Sequence, residues 1–83
     1  MANLDVYPNP SRDIFNVTFT SEVTQNVIIT VVNMLGEEVF VEEFTNVKGS
    51  FSQQIDMATQ SNGIYSLKIS NSALSIYRRI ALQ

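Results

Sequence analysis

Ser61-Asn62-Gly63-Ile64-Tyr65-Ser66-Leu67-Lys68-Ile69 is the stretch around which the rest of the chain can be arranged. Asn62 and Gly63 both tolerate positive φ, so the pair marks a turn. Beyond it Tyr65, Leu67 and Ile69 alternate with Ser66, Lys68 and Ser70, the period-two signature of a strand with one buried face. A tyrosine at the start of such a strand, just past a turn that carries glycine, suits a corner in which the ring is buried and the hydroxyl returns to backbone a few residues upstream. The stretch reads as a central strand leaving a corner.

Working outward, Asn71-Ser72 supplies a short turn into a last strand, Ala73 to Leu82. There Ile76, Arg78, Ile80 and Leu82 alternate with Tyr77, Arg79 and Ala81, so one arginine shares a face with core-like residues and lays its stem along apolar surface. On the other side, residues 56 to 62 form a crossing, preceded by a strand in which Phe51, Gln53, Ile55 and Met57 share a face. Residues 45 to 49 read as a loop. Glu37 to Phe44 is a strand whose apolar members Val39, Phe40, Val41 and Phe44 do not keep one parity, which predicts a bulge or a twisted outer strand. Asn33-Met34-Leu35-Gly36 places Asn first and Gly last in a tight hairpin, with Gly36 left-handed.

Val27 to Val32 is apolar on both faces, as for an interior strand covered on each side or facing a partner, and the polar stretch 21 to 26 before it reads as a turn. Ile14 to Phe19 sets Phe15, Val17 and Phe19 on one face. Leu4 to Tyr7 is an edge strand that ends at Pro8-Asn9-Pro10, because each proline fixes φ and withholds an N–H from any ladder. About seven short strands with frequent turn signals and no helical period predict an all-β fold, an immunoglobulin-like antiparallel two-sheet sandwich, with a small closed barrel as the alternative. Eighty-three residues make one domain, 1–83, with no internal repeat.

With 45% hydrophobic and 16% charged residues the chain is too apolar for disorder, yet its apolar runs are too short to span a membrane. Cysteine and histidine are both absent, which removes disulfides, thiolate chemistry, the commonest zinc sites and the usual general base. A net charge of −3 with only Arg12, Lys48, Lys68, Arg78 and Arg79 as cations disfavours nucleic acid. Glu37, Glu38, Glu42 and Glu43 invite an acid/base or calcium reading, but strand alternation splits each Glu-Glu pair between faces, and charge on an outer strand guards against aggregation. Asn16-Val17-Thr18 fits the glycosylation sequon, with its asparagine in mid-strand rather than in a loop. No catalytic residue, metal site, cofactor or small-molecule substrate is expected. No apolar signal segment opens the sequence, and Met1-Ala2 reads as the start of an expressed fragment.

Four motifs in order say more: Val6-Tyr7-Pro8-Asn9-Pro10, then Asn33-Met34-Leu35-Gly36-Glu37-Glu38-Val39, then Asn62-Gly63-Ile64-Tyr65-Ser66-Leu67-Lys68-Ile69, and the pair Arg78-Arg79 before a short apolar end. Each is weak alone, and together they resemble the C-terminal sorting domain, type A, of type IX (Por) secretion cargo, over nearly the whole chain. The family often has a lysine pair where Arg78-Arg79 stands and a last strand richer in valine and isoleucine than Ile80-Ala81-Leu82. The resemblance implies the tail of a larger protein, an address rather than an enzyme, covalently linked to an N-terminal cargo. It implies transit through the periplasm of a Gram-negative bacterium to the cell surface or medium, with an outer-membrane translocon or shuttle component and a sortase as partners, the sortase usually removing the tail. Pro8, Asn9, Pro10, Gly36, Gly63 and Tyr65 carry motif and backbone geometry, whereas Arg78, Arg79, Ile80, Ala81, Leu82 and Gln83 are the expected recognition segment. The competing class is a carbohydrate-binding or adhesive sandwich, which would want exposed aromatics in a chain that has no Trp.

Overall fold

A computed structural model describes residues 2–83. Five antiparallel strands form one connected sheet: β1 (Ala2–Tyr7), β2 (Ile14–Val32), β3 (Glu38–Asp56), β4 (Gly63–Ser70) and β5 (Ser75–Leu82). β2 is the spine. Its first half pairs with β1 on one edge, its second half pairs with β4 on that same edge, and β3 runs along the whole of the other edge. β5 then pairs with β4.

The expected seven strands in two sheets thus become five in one curled sheet, because two pairs of expected strands are continuous. Residues 21–26 were the expected turn, yet β2 passes through them, and β3 passes through the expected loop at 45–49. Both segments are polar because they form the outside of a bend. The ladder between β2 and β3 shifts register at Ser21/Gln25 and again at Gln25/Val27, where β3 carries Asn46 and Gly49 at positive φ. Side chains supply the bonds that the interrupted ladder lacks: Ser21 Oγ donates to the Val23 carbonyl, Gln25 Nε2 to Ser21 Oγ, and the Asn46 N–H to Asn26 Oδ1.

The bend spares the parity of β2. Phe15, Val17 and Phe19 before it and Val27, Ile29 and Val31 after it are all buried on one face, so the sheet curls around a single core. Ile55, Met57, Tyr65, Leu67, Ile69, Ile80 and Leu82 complete that core. Phe51 stacks on Phe19 at 4.6 Å between centroids and meets Phe44 edge-on, filling the bend with aromatic rings. Burial on both faces of residues 27–32 is found only in part: Thr30 is buried, but Ile28 on the same outer face is 37% exposed. The expected bulge in the strand after the hairpin is present, since Val31 pairs with Phe40 and Val32 with Glu38, leaving Val39 as the extra residue. Val39 and Phe40 therefore both pack against the core despite being adjacent.

Candidate functional site

The expected recognition segment is the second half of β5. Facing β4 in register, Arg78 lies opposite Leu67, Arg79 opposite Ser66, Ile80 opposite Tyr65, Ala81 opposite Ile64 and Leu82 opposite Gly63. Alternation divides these residues by role. Ile80 and Leu82 are buried and belong to the core, whereas Arg78, Arg79 and Gln83 are exposed and Ala81 is half-buried. The two arginines leave opposite faces of the sheet, as adjacent strand residues must. Arg78 has the inward parity of Ile80 but is exposed, and its Nη1 donates to the Tyr77 carbonyl at 3.0 Å, so its guanidinium lies along the strand edge.

That edge is partly occupied by the chain itself. Pro8 and Pro10 cannot donate, so the segment between β1 and β2 meets β5 through the remaining groups. Asn9 Nδ2 donates to the Arg79 carbonyl at 3.0 Å, and its Oδ1 accepts from the Ala81 N–H at 3.1 Å. The side-chain amide stands in for a peptide unit. One step further, the Ser11 N–H donates to the Ala81 carbonyl at 3.0 Å and the Gln83 N–H to the Ser11 carbonyl at 2.8 Å, a short parallel bridge opposite Leu82. Ser11 is itself buried, its Oγ donating to the Ile14 carbonyl. Residues 9–11 thus clasp β5 from Arg79 to Gln83. Asn9 was expected to serve only backbone geometry, and its two bonds across 70 or more residues of sequence are what sequence reasoning missed. A hint existed: Pro8 and Pro10 withhold two backbone donors on either side of Asn9, and its amide side chain can both donate and accept in their stead.

The other motif residues set turns and the corner. Tyr65 is buried, and its hydroxyl donates to the Ser61 carbonyl four residues upstream. In the hairpin, Asn33 Oδ1 accepts from the N–H groups of Leu35 and Glu37, while the Gly36 N–H donates to the Asn33 carbonyl with Gly36 at φ +85°. Gly63 opens β4 at φ +155°. Met34 and Leu35 at the hairpin tip are exposed, and an open depression runs from Met34 past Ile64 and Ser66 to Tyr77 and Arg79.

Charge is unevenly spread. All eight carboxylates fall at or before Asp56, whereas three of the five cations, Lys68, Arg78 and Arg79, lie on β4 and β5. Glu37, Glu38, Glu42 and Glu43 are all exposed, and Glu42 and Glu43 sit opposite Ile29 and Ile28, on opposite faces. Among the described residues no group of three or more acidic side chains is placed to hold a metal ion.

The sequence model of the family described as secretion system C-terminal sorting domain matches residues 5–83. No curated protein matches the sequence.

Proposed function

The chain belongs to the family of secretion system C-terminal sorting domains, and from that premise we propose that it is the address tail that carries a larger cargo protein across the bacterial outer membrane by type IX secretion. The family match over residues 5–83 is the observation that carries this reading. The tail folds in the periplasm, is recognised there by a translocon or shuttle component of the outer membrane, and is removed by a cell-surface sortase once the cargo has crossed. It acts by being bound and performs no chemistry.

Recognition falls to the terminal segment from Arg78 to Gln83. The geometry supports a division of labour within it: Ile80 and Leu82 anchor the segment in the core, while the exposed Arg78, Arg79 and Gln83 are available to a partner. Exposed charges contribute little to the fold, typically about 1 kcal/mol or less each, so their gathering here suits recognition better than stability. Asn9 and Ser11 hold the end of this segment in place through the clasp.

A reporter that bears a periplasmic export signal, fused ahead of the full tail and expressed in a type IX-competent host, tests the reading. The full tail is expected to bring the reporter to the cell surface. Replacing Arg78 and Arg79 by alanine is expected to leave it in the periplasm while circular dichroism of the purified tail stays unchanged. Normal delivery of the folded double variant would remove the arginines from the signal.

A further inference from the structure

The clasp leaves part of β5 uncovered. Arg79, Ala81 and Gln83 turn main-chain groups away from β4, since these bond residues 9 and 11, and by the alternation of an antiparallel pair Ser75 and Tyr77 do the same. Residues 9–11 reach only Arg79 to Gln83. Among the described residues no strand other than β4 pairs with β5, so its outer edge from Ser75 to the Arg79 N–H carries no ladder, the Tyr77 carbonyl meeting only the Arg78 guanidinium and the Arg79 carbonyl being taken by Asn9. Edge strands are usually blunted by charge, proline or a covering loop, and here the covering loop stops halfway.

The surroundings of the open rungs are one-signed. Lys68 lies opposite Tyr77, Arg78 lays its guanidinium against the Tyr77 carbonyl, and Arg79 projects from the outer face, with no acidic side chain anywhere on β4 or β5. The rest of the molecule carries all the carboxylates. We propose that the edge of β5 from Ser75 to Arg79 receives an extended, acidic segment of a partner protein as an added strand. Main-chain bonds to Ser75, to the Tyr77 and Arg79 N–H groups, and to the Tyr77 carbonyl once the Arg78 guanidinium turns from it to an incoming carboxylate supply the pairing, while Lys68, Arg78 and Arg79 select for carboxylates on the incoming strand. This rests on the sorting reading and makes it more specific. The partner adds to the rungs the clasp leaves free, and Asn9 and Ser11 limit how far that strand can extend.

Proline at position 77 isolates the claim, because it removes an outward N–H while costing β4 no ladder bond, and proline is tolerated on edge strands. The reporter fusion is read for surface delivery with the parent tail, Tyr77→Pro, Tyr77→Ala, Arg78→Glu with Arg79→Glu, and Arg78→Lys with Arg79→Lys, each purified tail being checked by circular dichroism. Expected are delivery by the parent, Tyr77→Ala and the lysine pair, and loss of delivery by Tyr77→Pro and the glutamate pair. Should proline at 77 unfold the tail, Ser75→Pro at the first residue of the strand takes its place. A parent tail that is not delivered refutes the sorting function itself. With the parent delivered, four results overturn the added strand: delivery by the folded proline variant, delivery by the glutamate pair, failure of the lysine pair, or failure of Tyr77→Ala alongside proline. The first, combined with loss in the glutamate pair, would mean an anionic ligand such as a phosphorylated glycan held by side chains alone. The last would mean that the tyrosine ring is read.

Discussion

Replacing Tyr65 separates two contributions to the corner that opens β4. Tyr65→Phe keeps the buried ring and deletes only the hydroxyl that donates to the Ser61 carbonyl, so it should cost about 1 kcal/mol, the net worth of one neutral hydrogen bond. Tyr65→Ala also removes a side chain that is 6% exposed, leaving a cavity among Leu67, Ile80 and their neighbours, and aromatic-to-alanine changes of this kind cost about 3–5 kcal/mol. A domain of this size has a stability of about 4–12 kcal/mol at the usual value per residue, so the alanine variant gives up a large share of it. Urea midpoints at constant slope measure both differences. In melting temperature, each 1 kcal/mol corresponds to about 4–8 °C at this chain length. A Tyr65→Ala protein within about 1 kcal/mol of the parent would show that the ring packs loosely, and the placing of β4 at the centre of the core would fail. A phenylalanine variant as damaging as alanine would show instead that the hydroxyl bond, and not the ring, holds the corner.

Asn9→Ala removes both side-chain bonds to β5 and should speed hydrogen exchange at the Ala81 amide, while Val31 in the middle of the sheet keeps its protection; unchanged exchange at Ala81 would deny the clasp. Gly36→Ala meets no atom within 4 Å, so its cost is that of a left-handed backbone alone, about 1–2 kcal/mol by denaturant midpoint, and a neutral effect would contradict the φ of +85°. Among the described residues β1 pairs only with β2, and it shifts register between Ala2 and Asp5, so amides from Leu4 to Tyr7 should exchange well before those from Val27 to Val32; equal protection would refute its place at the edge.

Side-chain parity was legible in the strands whose apolar residues alternate. Phe15, Val17 and Phe19, Ile55 and Met57, and Tyr65, Leu67 and Ile69 all alternate against polar residues, and burial follows that pattern. The broken parity of Glu37 to Phe44 left a bulge and a twisted outer strand open, and the structure has the bulge at Val39, where two adjacent apolar residues both pack because the pleat is interrupted. The continuity of β2 and β3 was not legible. Serine, glutamine and asparagine at 21–26 favour a chain reversal and an exposed bend equally, and only the partner strand bending at Asn46 and Gly49 distinguishes the two. At the terminal strand the sequence located the arginines and their opposite faces. It could not show that Asn9, some 70 residues away, already occupies the backbone groups of Arg79 and Ala81, since side-chain-to-backbone bonds at that separation leave no periodic trace.

Surface exposure of a signal-bearing reporter, quantified by external protease digestion in two isogenic hosts that differ only in a working type IX translocon, tests the sorting function most directly. The account predicts that the reporter carrying residues 1–83 is accessible to protease in the competent host and protected in the periplasm of the deficient one, with the tail-less reporter protected in both. Equal protection of the tailed and tail-less reporters in the competent host would contradict it.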